Sequence, residues 1–113
     1  MVADCIFCKI VSKEIPAKII YEDENFISFH DINPSADVHA LIIPKKHIKS
    51  VDELEISDKE LIGQLLLIAK KVAEILDISR VGYKLVCNVG SGGGQVVPHL
   101  HLHVLSGKNI RLP

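Results

Sequence analysis

Residues 98–105 read PHLHLHVL and set His99, His101 and His103 at strict two-residue spacing with only leucines between them. On a β-strand successive side chains alternate faces. The three imidazoles would then line one face, with Leu100, Leu102 and Val104 pointing the other way into a core. Same-face neighbours along a strand sit roughly 6.5–7 Å apart, from about 3.3 Å of rise per residue. One zinc ion, with Zn–N bonds of about 2.0–2.1 Å, cannot be gripped by all three. The row therefore reads as separate imidazoles, each meeting its own partner. Near neutral pH imidazole is a nucleophile, a proton donor and a metal ligand, and a buried row without such work would leave many ring nitrogens to satisfy.

Two further stretches carry chemical signals. NVGSGGGQ, residues 88–95, leads directly into the histidine row and offers backbone amides that no side chain obstructs, the property needed to cradle phosphate oxygens. It is neither a P-loop, which needs G-K-[ST], nor a dinucleotide fingerprint, because a strand rather than a helix follows it. Cys5 and Cys8 form a C-x-x-C pair, which in a reducing compartment means metal, redox chemistry or two small buried residues. A thioredoxin-like role is disfavoured, since no strand precedes the pair. Cys87 reads as a core residue within a strand.

The elements that must position these residues follow from periodicity and punctuation. DCIFCKIVSKEIP places Ile6, Phe7, Ile10 and Val11 on one helical face and predicts a short helix stopped by Pro16. KIIYE and NFISFHD flank an acidic turn and read as a hairpin; HALIIPK is a third strand closed by Pro44. SDKELIGQLLLIAKKVAEILD is the one long helix, with Ser57 and Glu60 as a capping box and an apolar stripe from Leu61 to Leu76. GYKLVCN and HLHLHVL supply strands four and five. Strands arriving in pairs rather than alternating with helices point to an α+β fold with a mostly antiparallel sheet.

A chain of 113 residues is one domain, able to build a core without disulfide staples. The formal net charge of −1 leaves no basic stripe for a nucleic-acid backbone, so no nucleic-acid partner is expected. MVADC lacks the basic and apolar regions of a signal peptide, and LLLIA is far short of a membrane span. The expected setting is cytoplasmic, without a membrane partner.

HLHLHVL, H-x-H-x-H followed by two apolar residues, resembles the signature of the histidine triad (HIT) family of nucleotide-binding hydrolases and transferases. CIFCKIVSKEIPAKIIYED, FHDINPSADVHALIIPKKHI and NVGSGGGQ are similar to its Hint branch and occur in the family's order, so the likeness covers nearly the whole chain. The resemblance implies a single HIT domain over residues 1–113. Each subunit of a homodimer would have a five-stranded antiparallel sheet with one long and one short helix on one side. It implies cleavage of nucleoside 5′-phosphoramidates, such as adenosine 5′-phosphoramidate, at the α-phosphorus through a covalent nucleotidyl-histidine. His101 would be the nucleophile, with His103 and His39 on the phosphate oxygens. Asn88 and the amides from Gly92 through Gly94 to Gln95 would hold the phosphate, and Asp31 would accept from the ribose hydroxyls. Ile6, Phe7, Ile10, Ile15, Phe29, His30 and Ile32 would wall the purine pocket. The resemblance to bacterial-type members further implies a structural zinc on Cys5, Cys8, His47 and His99. A Cys₂His₂ shell is closed to substrate, so losing a ligand should cost stability and leave the catalytic rings in place.

Three positions depart from the family pattern. Val96 stands where a polar residue often follows the loop glutamine, Pro98 where an aromatic is common, and Leu112–Pro113 where the tail often carries an aromatic. Two alternatives share the site: a dinucleoside polyphosphate hydrolase of the Fhit type, and a zinc-stabilised nucleotide-binding or interaction module with vestigial catalysis. The intact His101 argues against the second.

Overall fold

The computed structural model describes residues 4–111; the Leu112–Pro113 tail lies outside them. Its elements are α1 (Ile6–Val11), β1 (Ile19–Glu22), β2 (Phe26–His30), β3 (Val38–Pro44), α2 (Lys59–Ile75), β4 (Lys84–Val86) and β5 (Leu102–Ser106). The five strands form one antiparallel sheet in the order β1-β2-β3-β5-β4, an α+β architecture as the pairing of strands in the sequence implies.

Alternation along the two central strands builds a core on each face. Phe26, Ala40, Ile42, Leu102 and Val104 pack against Leu65, Ala69, Val72 and Ala73, the buried stripe of α2. Ile27, Phe29, Leu41 and Ile43 pack against Cys5, Phe7, Cys8 and Ile10 around α1. The helices therefore cover opposite faces, where the family resemblance implied one side. The cause is the parity of β2 and β3: their odd and even positions are both apolar, so neither face can be left to water. Half-buried Cys87 lies just beyond β4 rather than within it and packs against the α2 core.

Helix ends depart from expectation for local reasons. α1 stops at Val11, ahead of Pro16, because Lys13 turns into the left-handed region at φ 68°. The capping box lies not on Ser57 and Glu60 but one turn earlier, pairing Glu55 with Asp58 around the short Ile56–Asp58 turn, and Asp58 makes no side-chain cap bond to α2 itself. The Asp58 carboxylate accepts from the Glu55 N–H at 3.0 Å and from Lys46 Nζ at 2.7 Å. At the far end Asp77 adopts φ 59°, with Ile78 N–H donating to Ala73 O and Asp77 N–H to Glu74 O. That is a Schellman motif built on aspartate instead of glycine, with Ile78 buried beneath it.

The fifth strand starts late. Pro98 has no N–H to give, His99 N–H bonds Val97 O, and Leu100 N–H bonds Ile48 O at 2.6 Å. Only His103 of the row lies on the ladder, opposite Leu41 and Val86, while His99 and His101 occupy the lead-in.

The two-faced core makes a stability prediction. Ile42, fully buried between β2 and β5, should lose about 2–5 kcal/mol on truncation to alanine. Exposed Ile56→Ala should stay within about 0.5 kcal/mol. Urea unfolding of the two variants checks the contrast.

Candidate active site

The hydrogen bonds assign a tautomer to each imidazole. Ser35 N–H donates to His39 Nδ1 at 2.9 Å, so His39 keeps its own proton on Nε2. That Nε2 lies 2.8 Å from His103 Nδ1 and 3.4 Å from Asp31 Oδ2. His103 Nδ1 is therefore an acceptor, and His103 carries its proton on Nε2. His101 Nδ1 sits 2.8 Å from the His99 carbonyl oxygen, which can only accept. His101 is thus protonated at Nδ1 and bears its lone pair on Nε2.

Burial keeps these rings neutral, because it disfavours the charged form. Desolvation pulls His101 below the usual histidine range, against the partial rescue of the His99 carbonyl and Asp31. His39 is lowered for the same reason, with Asp31 opposing. His103 is pushed down to about 4 by burial first and by the neighbouring imidazoles second. The result is a neutral His101 with a free Nε2 lone pair beside a neutral His103 that can donate from Nε2–H.

These rings border a cavity of about 420 Å³, within the range of small-molecule sites. Ile6, Phe7, Ile10 and Ile15 line it from the α1 side, and Phe29, His30, Asp31 and Ile32 from the end of β2. His39 comes from β3, Asn88 and Gly94 from the glycine loop, and His101 and His103 from the histidine row. Phe7 packs edge-to-face on His101 at 5.1 Å and on Phe29 at 5.7 Å. The wall is largely apolar with a small set of polar groups, among them Asp31, His39, Asn88, His101 and His103, a lining able to take a planar ring system joined to a phosphoryl group.

Gln95 is placed otherwise. It does not line the cavity; its Oε1 accepts from Gly90 N–H at 2.9 Å, and its Nε2 donates to Lys49 O at 2.7 Å and Val97 O at 2.9 Å. Asn88 Nδ2 donates to Gly93 O at 2.7 Å. These two side chains staple the glycine loop, which turns through left-handed backbone at Gly90 and Gly94. Residues that sequence reasoning missed include Ser35, Leu41 and Val97 on the cavity wall, which the exposed Val96, singled out above, also lines. Apolar residues on a wall look like core in a sequence, and a backbone amide such as Ser35's has no residue signature.

Cys5, Cys8, His47 and His99 form a separate cluster that could bind a metal ion, all four donor atoms lying within 4.8 Å of one another. Cys8 Sγ is 3.2 Å from His47 Nδ1 and 3.6 Å from His99 Nδ1; Cys5 Sγ is 3.4 Å from His99 Nδ1, and the two Nδ1 atoms are 3.1 Å apart. Bonds of about 2.0–2.3 Å in a tetrahedron give donor–donor edges of roughly 3.3–3.8 Å, so the donors fit such a centre closely. His99 Nε2–H is spent on Pro44 O at 2.8 Å, which leaves Nδ1 with a lone pair only, the state of a ligand held by an outer hydrogen bond. Burial raises the Cys5 thiol and lowers His99. A cation would draw off the thiol proton that burial otherwise retains.

Comparison with known proteins follows the same lines. The family model for the HIT domain matches residues 12–110. The chain is 44% identical over 105 residues to an uncharacterized HIT-like protein of Buchnera aphidicola, covering 93% of this chain and 94% of that one. Among solved structures it is similar to a HIT family hydrolase from Legionella pneumophila, at 49% identity and a TM-score of 0.91 over 97% of this chain and 98% of that chain. A histidine triad protein from Clostridium difficile gives 39% identity and a TM-score of 0.92 over 100% and 96% of the two chains.

The depressed His103 has a measurable cost in acid. Its folded pKa of about 4 lies below the ordinary value near 6.5, so as pH falls the unfolded chain takes up that proton first. The contribution of neutral His103 is complete above about pH 6.5 and is lost progressively down to about pH 4, on the order of 3 kcal/mol. Denaturant unfolding across that interval should show wild type losing more stability than His103→Asn. The metal cluster is common to both proteins, so the difference belongs to His103.

Proposed function

The chain belongs to the HIT domain family, and from that premise we propose that it is a nucleotide-binding hydrolase, a phosphoramidase that cleaves nucleoside 5′-phosphoramidates at the α-phosphorus. The observation that carries the reading is the wiring of His101. Its Nδ1–H is bonded to a carbonyl, its Nε2 lone pair is left for attack, and the ring borders a cavity with a hydrogen-bond donor, His103, alongside. In the first step Nε2 bonds to phosphorus as the phosphorus–nitrogen bond breaks, and the amine departs with a proton from solvent. The imidazolium that results is stabilised by the His99 carbonyl through a charge-assisted hydrogen bond. In the second step water attacks phosphorus, the bond to Nε2 breaks, and the nucleoside monophosphate leaves.

The remaining roles are consistent with the placements. His103 Nε2–H, its proton held there by the chain through His39 to the Ser35 amide, donates to a phosphate oxygen. Asn88 and Gly94 of the stapled loop line the same cavity. Asp31 accepts from ribose hydroxyls, and Ile6, Phe7, Ile10, Ile15, Phe29, His30 and Ile32 face the purine. The Cys₂His₂ set suits zinc, which when bound supplies structural stabilisation rather than an open coordination position.

The protein acts as a homodimer through α2 and β4 in this reading. Leu66 and Leu67 on α2 are 58% and 68% exposed, and β4 is an edge strand carrying exposed Leu85. An exposed apolar helix face and an unpaired strand edge are each surfaces that a second copy can cover. Among the described residues no helix is long and apolar enough to cross a membrane. The cytoplasm, where free thiols stay reduced, is the setting the cysteine cluster requires.

Two outcomes are expected. His101→Gly should lower turnover of adenosine 5′-phosphoramidate by about a thousandfold or more while AMP still binds. Turnover within about tenfold of wild type, or an acid-labile nucleotidyl adduct mapped to another residue, would overturn the assignment. Native mass spectrometry should record a dimer carrying two zinc ions, one per chain; a metal-free monomer would refute both expectations.

A further inference from the structure

We propose that the Cys5–Cys8–His47–His99 cluster is a positioning device for the nucleophile, acting through the peptide between His99 and Leu100; this rests on His101 being the attacking residue. His99 has two ends with different work. Its ring, 0% exposed, is locked between Pro44 O and the two thiols. Its carbonyl accepts the His101 Nδ1–H at 2.8 Å. The other end of that same peptide, Leu100 N–H, is held by Ile48 O at 2.6 Å. Ile48 follows His47, whose Nδ1 faces His99 Nδ1 at 3.1 Å across the cluster. The cluster thus grips both segments that orient one peptide plane, and that plane sets the proton of the nucleophile.

A third link runs through Phe7, which sits between the two cysteines in sequence. Its ring packs edge-on against His99 at 5.9 Å and against His101 at 5.1 Å. Drawing the four donors together on a cation therefore fixes the acceptor for Nδ1–H and the aromatic contact on the nucleophile in one act. If the 47–48 and 99–100 segments drift apart, His101 loses its carbonyl partner, and nothing keeps the proton off Nε2. An imidazole protonated at Nε2 cannot attack through that nitrogen. The scaffold and catalytic roles of the histidine row, separable by sequence, are joined by this peptide.

The experiment compares zinc-loaded wild type with Cys8→Ser and with wild type stripped by a chelator, below the melting temperature of each. Nitrogen-15 NMR of the His101 ring near pH 8, above the ordinary imidazole range, reads the tautomer directly. Loaded wild type should show Nδ1–H alone, and the stripped protein and Cys8→Ser a mixture containing Nε2–H. In steady state, kcat should fall about tenfold or more, as expected for a wrong tautomer or a lost outer hydrogen bond, while AMP affinity stays within about threefold. A single Nδ1–H tautomer with unchanged kcat after metal loss would overturn the proposal.

Should metal loss unfold the chain, His47→Cys keeps four ligands and a folded, loaded protein but alters the reach of the 47–48 segment. It should then lower kcat without weakening AMP binding; kcat equal to wild type in that loaded variant would show a merely structural cluster. If wild type fails to cleave phosphoramidates at all, the functional reading fails, and the tautomer measurement still decides the coupling.

Discussion

The hydrogen bond from His101 Nδ1 to the His99 carbonyl governs what the rest of the site can do. A neutral imidazole has one proton and one lone pair, and a partner at one nitrogen decides which atom is left for chemistry. Here that partner is main chain rather than the carboxylate common in hydrolytic triads, so which His101 nitrogen carries the lone pair depends on the path of the backbone. The late start of β5 follows from the same need. Had residues 99–101 continued the ladder, their peptides would have been committed to neighbouring strands. Instead Leu100 N–H turns to Ile48, and the His99 carbonyl is left to hold a side chain.

Both faces of the sheet contribute to that arrangement. The α2 face supplies rigidity through a packed stripe of Leu65, Ala69, Val72 and Ala73. The α1 face supplies specificity, because the six residues of α1 carry part of the cavity wall and one of the two thiols, with the other at its N-cap. A second chain of bonds, from the Ser35 amide through His39 to His103, is anchored by the C-terminal segment. Arg111 N–H donates to Ser35 O at 2.7 Å and holds the loop that presents the amide. The orientation of these imidazoles is set largely by main-chain groups.

That explains which features were legible beforehand. The two-residue period of PHLHLHVL pointed to a row of imidazoles, and the strand pairs pointed to an antiparallel α+β fold. The cavity wall was reached through family resemblance, and the residues so named line it apart from Gly92, Gly93 and Gln95. What stayed hidden had no side-chain signal. The Ser35 N–H, the Ile48 carbonyl and the His99 carbonyl are present at every residue type. Gln95 looks the same as a ligand or as a brace until its three partners are seen. The Asp77 helix stop was equally silent, since aspartate reaches the left-handed region less often than the glycine one looks for.

The cavity wall contains no lysine and no arginine among the described residues, and burial disfavours the charged form of His39, His101 and His103. A bound phosphoryl group is therefore met by dipoles, ring N–H groups and loop amides, and not by fixed positive charge. With a chain of net charge −1 there is also little long-range field to draw an anion in. Encounter then depends on fit of the apolar part of the ligand rather than on electrostatic capture. In the proposed phosphoramidase reaction this becomes an advantage at the end of the cycle. Replacing a phosphorus–nitrogen bond by phosphorus–oxygen adds an ionisable oxygen to the product, and no cation waits to retain it beside Asp31. A site that recognises its ligand by shape lets the more highly charged product go.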